Sequence, residues 1–323
     1  MAKSDPVADA LLRLKACAVD PRSAGALAEV SHALTSKSNL PVARAAELIT
    51  TAKISQFVDP LIVAFDRFLQ KPTTTDKGCS AKTAIAKALY ELEAPAQELF
   101  LRGIRHVQME PVWGGQADTA ADLRGYCALG LVRSNYRDAM TELGDLLMDA
   151  VPTARLMAAR AIGYSENPAG APLLRMKLIA GDANYDVTVE CLSALLKLTP
   201  RAGVSFVGRF LDSSNEDIRE AATYALGESR QPAAFDLLTA RYAKELLVES
   251  RRPLLLAIAM TRLPASLDFL FRVIADDNPT TAAAAIEAMA ISRLDDAVRA
   301  KLKAIIDERS DDSMRQAFEK AFV

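Results

Sequence analysis

The stretch EDIREAATYALGESRQPAAFDLL, residues 216–238, has the pattern of two consecutive helices. Small or apolar side chains recur at intervals of three and four residues, at Ile218, Ala221, Ala222, Ala225 and Leu226. This spacing places them on one face of a helix. Asp217 brings negative charge to the first turn, where the helix dipole favours it. We expect Gly227 to end this helix in the left-handed conformation. Pro232 is expected to open the next one, since its missing N–H is not needed there.

The same helix pattern recurs along the chain at a nearly constant interval. An alanine shortly before the helix end serves as a marker, and it occurs at Ala88, Ala128, Ala161, Ala194, Ala225, Ala259, Ala288 and Ala321. Successive markers lie 29 to 34 residues apart, except for 40 residues between Ala88 and Ala128. A helical pair repeated at such a period is typical of an α-solenoid. A small residue is expected at the marker because larger side chains would push tightly crossing helices apart.

The repeats predict an all-α fold, a single elongated right-handed α-solenoid over residues 1–323. We expect about nine antiparallel helical pairs and a C-terminal capping helix. Residues 1–78 are predicted to hold degenerate N-terminal repeats, and residues 79–323 more regular HEAT-like ones. The earlier pairs are ADALLRLKACA (8–18) with SAGALAEVSHAL (23–34), and PVARAAELIT (41–50) with DPLIVAFDRFLQ (59–70). The second helix of each pair is expected to line the concave surface.

The composition excludes several classes of protein. Half of the residues are hydrophobic but only 6% are aromatic, which favours helices packed through small side chains over strands. The 39 basic and 41 acidic residues are spread so evenly that a nucleic-acid-binding surface is not expected. LLLAIAM, residues 254–260, is the longest apolar run in the C-terminal half and is too short to span a bilayer.

The cysteines and the N-terminal residues predict a cytoplasmic location. The four cysteines are at least 48 residues apart, so no pair has the spacing of a zinc or redox motif. We expect reduced thiols, as in an intracellular protein. The first residues, MAKSDPVADALLRLKA, lack the continuous apolar segment of a signal peptide.

The sequence motif of the repeat resembles that of a known family. DIREAATYALGES, residues 217–229, is similar to the HEAT-like repeats of the phycobilisome-lyase type, roughly Asp-x-x-Val-Arg-x-x-Ala-x-x-Ala-Leu-Gly. TARLMAARAIGYS (153–165) and DVTVECLSALLKL (186–198) resemble it less closely. The resemblance implies a stack of helical pairs. Proteins of this class include protein-binding scaffolds, chromophore lyases and enzymes that act on DNA or protein, so the fold alone leaves the function open.

A basic residue stands six positions before several markers. The column holds Lys82, Arg155, Arg219 and Arg315, and it is interrupted by Asp122, Thr188, Pro253 and Ala282. These cations either line a ligand-binding surface or pair with acidic groups of neighbouring repeats. The interruptions favour the structural alternative.

No pattern for catalysis is found. His32 and His106 are the only histidines, and neither precedes a glutamate. The resemblance therefore excludes the helical-repeat hydroxylases, which hold iron with several His-Glu pairs. Phosphate-binding loops, nucleophile elbows and dinucleotide fingerprints are also absent from the sequence. We expect no cofactor and no enzymatic activity.

The one enlarged interval contains HVQMEPVWGGQAD, residues 106–118, with the only tryptophan of the chain. Surplus residues in a repeat array lie in loops, often at a binding edge. Trp113 can therefore project as an anchor for a partner. The candidate contact residues are Trp113, Arg102, Arg105, His106 and Arg124. Alternatively, Trp113 folds back with Met109 and Val112 to cover the edge between two repeats, while the glycines only turn the backbone.

The sequence thus predicts a non-catalytic scaffold that binds a protein or peptide on its concave face. The alternative is a lyase-type or other enzyme that handles a chromophore, and a nucleic-acid binder is the third possibility. No membrane association is expected, and the sequence leaves the oligomeric state open.

Overall fold

In the computed structural model, which describes residues 5–291 and 294–322, most of the chain is α-helical. The first helices in chain order are α1 (Pro6–Cys17), α2 (Ala24–Leu34), α3 (Asn39–Ala52), α4 (Val58–Leu69), α5 (Pro72–Thr75), α6 (Ser80–Glu91) and α7 (Gln97–Ile104). Two short strands follow, β1 (Met109–Val112) and β2 (Gly115–Asp118).

The helices after the strands are α8 (Ala121–Arg133), α9 (Ala139–Leu146), α10 (Pro152–Tyr164), α11 (Ala171–Ala180), α12 (Tyr185–Leu198), α13 (Val204–Gly208), α14 (Glu216–Ser229), α15 (Pro232–Tyr242), α16 (Val248–Met260), α17 (Pro264–Asp276), α18 (Pro279–Met289), α19 (Asp296–Arg309) and α20 (Asp312–Phe322). Leaving aside the one-turn α5, the described residues form nine helical pairs and the final α20, as predicted. The all-α class is confirmed, with one small hairpin added.

The chain divides into two compact units, Met1–Leu173 and Leu174–Val323. A single solenoid over residues 1–323 and a change of regularity at residue 78 stay predictions. Among the described residues, none of the helices combines the length and the apolar character that crossing a bilayer requires.

The helix pair of residues 216–238 illustrates how local sequence sets the boundaries. Asn215 caps α14, with its side-chain oxygen accepting from the Ile218 N–H at 3.2 Å, and Pro232 opens α15 as predicted. The prediction for Gly227 is wrong, because this glycine lies inside α14 and the left-handed residue is Arg230 (φ 52°). A Cβ on Gly227 would lie 2.6 Å from the carbonyl oxygen of Ala257 in α16, so the glycine permits a close helix contact.

The first helices of the pairs pack consecutively within each unit. The order is α1, α3, α6, α8 and α10 in the first unit and α12, α14, α16, α18 and α20 in the second. The markers from Ala88 to Ala288 lie in these helices and are at most 6% exposed, which confirms the reason for their size. The first helices therefore form a continuous layer in each unit. That the second helices line a concave surface stays a prediction.

The contacts of the basic column include several that are local. Lys82 pairs with Asp76 at 2.8 Å, and both side chains are fully buried. Arg219 donates to the carbonyl oxygens of Ser213 and Ser214, at 2.8 and 3.2 Å. Arg155 makes the equivalent bonds to residues 149 and 150, and Arg315 pairs with Asp312. These cations hold the start of a helix to the loop or turn before it.

The contact at Gly227 predicts a large difference between two glycine substitutions. Gly227→Ala should lower the free energy of unfolding of the second unit by about 1–3 kcal/mol, because the opposing atoms are backbone and cannot rotate away. Gly25→Ala, at a helical position with open space, should leave stability unchanged or slightly higher. Urea unfolding followed by circular dichroism measures both. Equal stabilities would contradict the proposed close approach.

Candidate functional site

The enlarged interval folds as a β-hairpin rather than the irregular loop that was predicted. β1 and β2 are antiparallel, with Met109 opposite Asp118 and Val112 opposite Gly115. The turn between them consists of Trp113 and Gly114, and Gly114 has a φ of +87°, which glycine adopts without strain. The pairing continues one step beyond the strands, where the Thr119 N–H donates to the Gln108 carbonyl at 2.9 Å.

The tip of the hairpin is exposed and carries no charge. Trp113 is fully exposed (103%), and Met109 and Val112 are about half exposed at 45% and 49%. The alternative in which Trp113 covers the edge between two repeats is therefore wrong. The two-residue turn places the indole at the far end of the ladder, away from the helices. Residues 111–116, Pro-Val-Trp-Gly-Gly-Gln, are all exposed.

Glu110 holds the hairpin to the helical layer. Its two carboxylate oxygens accept from the Gly78 N–H at 2.8 and 3.0 Å, and one also accepts from the Thr119 hydroxyl at 3.1 Å. The amide of Gln108 donates to the same carboxylate and, at 2.7 Å, to the carbonyl oxygen of Asp76. Gln108 is 1% exposed, so its bond to Asp76 is shielded from water, whereas the bonds between Gly78 and Glu110 are exposed.

Asp76 connects this network to α6. Its carboxylate accepts from the backbone N–H groups of Ala81 and Lys82, at 2.8 and 3.1 Å, and pairs with the Lys82 ammonium. An acidic group at a helix start satisfies N–H groups that have no helical partner. Asp76 thus connects the hairpin, through Gln108, to the start of α6.

Arg124 does not fit its predicted role as a contact residue. The residue is 2% exposed, and its guanidinium lies 2.8 Å from an Asp118 oxygen and 2.9 Å from an Asp149 oxygen. It also donates to the carbonyl oxygen of His106 at 2.9 Å. Arg124 therefore joins the end of β2 to the loop before α10, and it is enclosed by protein.

The other predicted residues lie near the surface. Arg102 pairs with Asp66 of α4 at 2.7 Å, and Arg105 pairs with Glu142 of α9, while both guanidinium groups stay partly open to solvent. His106 is half-buried beside Gln108, and burial lowers the pKa of its imidazole. Arg102 and Arg105 remain candidate contacts. The first strand of the hairpin begins at Met109, three residues after His106.

A groove crosses the first helices beside the base of the hairpin. It has a volume of about 620 Å³ and is lined by side chains of α3, α6, α8 and α10 together with Gly78 and Thr119. Tyr126 and Lys87 lie within it, the ammonium 5.7 Å from the ring centre. Gly78 and Thr119 also contact Glu110, so the groove and the hairpin share a border.

Four residues at the base of the hairpin were missed in the sequence, namely Asp76, Gly78, Gln108 and Glu110. One signal was available. VQMEPV, residues 107–112, alternates apolar and polar residues over its first four positions, which is the period of a strand. Their partners Asp76 and Gly78, 32 residues earlier, leave no such pattern.

The fold and the site define an α-helical repeat protein with one inserted hairpin. The family model for HEAT repeats matches residues 175–252. The predicted resemblance to HEAT repeats is thereby confirmed. None of the curated proteins compared with the sequence matches it.

Several solved structures align with this chain. The complex of CpcE and CpcF of phycocyanin lyase from Nostoc sp. PCC7120 is 16% identical, with 76% of this chain and 94% of that chain covered and a TM-score of 0.39. Human deoxyhypusine hydroxylase in complex with glycerol is 17% identical, with coverages of 79% and 96% and a TM-score of 0.33. An engineered protein is 14% identical, with coverages of 99% and 95% and a TM-score of 0.43.

The pKa values of Glu110 and Asp118 indicate how the anchoring of the hairpin depends on pH. Partial burial acts to raise the pKa of Glu110, but hydrogen bonds from Gln108, Gly78 and Thr119 outweigh it and leave the pKa below its usual value. The pKa of Asp118 is also lowered, since bonds from backbone N–H groups and Arg124 outweigh the effect of burial. The anchoring is therefore complete above the usual carboxyl range and is lost as pH falls through the lowered pKa values.

Hydrogen exchange of the hairpin amides tests this anchoring. At neutral pH, Glu110→Gln should speed the exchange of residues 109–118 without changing the helical signal, because Gly78 then faces a weaker, uncharged acceptor. Glu98→Gln, which removes an exposed carboxylate from α7, is the matched control and should change nothing. Equal exchange in both variants would show that Glu110 does not hold the hairpin.

The buried position of Arg124 predicts a strong effect on stability. Arg124→Met leaves Asp118 and Asp149 without their cation and should cost about 3–5 kcal/mol of unfolding free energy. Arg137→Met removes a guanidinium that is almost fully exposed, beside the exposed Asp138, and should change the melting temperature little. Thermal unfolding of the two variants compares them directly. A stable Arg124→Met protein would contradict the assigned structural role.

Proposed function

We propose that this chain is a non-catalytic interaction scaffold that binds a protein partner through the exposed tip of its hairpin. The observation that carries the proposal is the complete exposure of Trp113 at the end of a hairpin whose base is hydrogen-bonded and partly buried. Arg102 and Arg105 are secondary contacts, since their guanidinium groups are partly open near the start of the insertion.

The energetics of binding favour such an arrangement. A tryptophan buries about 150–250 Å² when it enters a pocket, and such residues dominate the affinity of many interfaces. The backbone of residues 108–119 is already held by the ladder and by Glu110. Little ordering would accompany binding, so a larger share of the gain from burying the indole would remain as affinity.

The chemistry of the tip favours a protein as the partner. Residues 111–116 have no basic side chain for a phosphate backbone, whereas affinity for nucleic acid depends on Lys and Arg. Elements that lie on a membrane surface also combine aromatic residues with Lys and Arg. A neutral apolar tip is instead suited to an apolar pocket on a protein.

The cysteines support a non-catalytic role and the cytoplasm as the location. Cys79, Cys127 and Cys191 are buried, and burial raises the pKa of each thiol, to about 12 for Cys79 and Cys191. Thiols in this state are poor nucleophiles. Free cysteines of this kind persist in a reducing compartment.

Affinity capture with two matched variants tests the proposal. Trp113→Ala should lose the proteins that the unchanged chain retains, while Leu246→Ala, which removes an equally apolar side chain that is 86% exposed in the second unit, should keep them. Both variants should unfold at the temperature of the unchanged chain, because neither side chain is packed. Retained proteins are identified by mass spectrometry.

The second part of the same experiment measures capture at several salt concentrations. Capture through a neutral tip should be nearly constant over a range of salt concentrations, whereas retained nucleic acid would be released steeply. The proposal fails if all three chains retain the same proteins, or if nuclease treatment or salt removes what is captured.

A further inference from the structure

The hairpin has two outer edges whose backbone groups point in known directions. The bond from the Thr119 N–H to the Gln108 carbonyl identifies residues 108 and 119 as a hydrogen-bonded pair. In an antiparallel ladder such pairs alternate, so Glu110 with Ala117 and Val112 with Gly115 also bond inward. The backbone groups of Met109 and Pro111 on β1, and of Gln116 and Asp118 on β2, therefore point outward.

The outer edge of β2 is complete, while that of β1 is interrupted. Proline has no N–H, so Pro111 leaves the β1 edge without one of its two donors. Gln116 and Asp118 offer two N–H and two C=O groups on the β2 edge, and these groups accept or donate no hydrogen bond within residues 5–291 and 294–322. Such a row of free groups is a template for another strand.

We propose that the β2 edge binds an extended segment of the partner protein, which adds as a third strand to the hairpin. This inference rests on the proposed function and specifies the form of the partner. The segment would pair its backbone with Gln116 and Asp118, forming up to four hydrogen bonds over about 13 Å of strand. Trp113 lies at the turn end of the same edge, next to where the segment would begin or end.

The occupant is an uncharged, apolar segment of a protein. The side chains of residues 111–116 carry no charge, and Trp113, Val112 and Pro111 give the tip an apolar surface. A charged segment would lose solvation against this surface without gaining an ion pair. Backbone pairing supplies affinity in this mode, and side chains on one face of the added strand supply specificity.

Hydrogen exchange and a peptide library provide the test. In the free chain, the amides of Gln116 and Asp118 should exchange rapidly, while those of Val112 and Gly115 are protected by the ladder. A phage-displayed library of random linear peptides is then selected on the unchanged chain. Selected peptides should be rich in β-branched and aromatic residues, and their binding should protect the amides of Gln116 and Asp118.

A matched pair of substitutions isolates the backbone donor. Gln116→Pro removes the outward N–H and leaves the inward ladder intact, so peptide affinity should fall by about tenfold or more. Gln116→Ala removes the same side chain but keeps the N–H, and it should bind as the unchanged chain does. Continued protection of Val112 and Gly115 in the proline variant shows that the hairpin is still formed.

Several results would overturn the proposal. The first is that the selected peptides bind Gln116→Pro as well as they bind the unchanged chain. The second is that no peptide is selected at all. The third is that the amides of Gln116 and Asp118 exchange slowly in the free chain. A dimer of the unchanged chain that Gln116→Pro dissociates would show that the edge pairs with a second copy instead. Size-exclusion chromatography of both proteins detects that case.

The two proposals can fail separately. If Trp113→Ala abolishes capture of a protein while Gln116→Pro does not, the interaction function stands and edge pairing is wrong. If Gln116→Pro abolishes peptide binding while Trp113→Ala leaves protein capture unchanged, the edge binds a strand but Trp113 is not the anchor.

Discussion

Close approach of neighbouring helices is the constraint on which this structure depends. Helices of the same layer can lie near each other only where the side chain between them is small or missing. A Cβ on Gly125 would lie 2.7 Å from a carbon of Met157, and one on Gly227 would nearly overlap the backbone at Ala257. Each buried marker alanine meets the same demand. The repeat period follows, because one small residue is needed at each crossing.

The hairpin is a consequence of that constraint. Residues inserted into a repeat cannot enter the packed helices, so they leave the layer and must satisfy their own backbone groups. Residues 108–119 do so by pairing with each other, and Gln108 and Glu110 bond the pair to the loop before α6. This loop supplies the Gly78 N–H, which donates to Glu110 32 residues further along the chain. A rigid site for Trp113 therefore arises from a loop and an insertion that are distant in sequence.

The helices could be predicted from sequence, whereas most of the site could not. Periodicity and proline at the first helical position are local signals, and they located the helix pairs. The insertion was also located correctly, from its length. Trp113 was ambiguous because burial depends on what lies opposite, which no local pattern records. Arg124 was misassigned for the same reason, since Asp149 lies 25 residues further along the chain.

The position of the single tryptophan gives this protein an intrinsic optical probe. The remaining aromatic residues are seven tyrosines and eleven phenylalanines, so light absorbed selectively by indole excites the hairpin tip and no helix. The emission spectrum of the native chain should have the red-shifted maximum of a hydrated indole, because Trp113 has no neighbour that shields it. The wavelength and polarisation of this emission would then report binding at the hairpin tip, because the helices contribute no tryptophan emission.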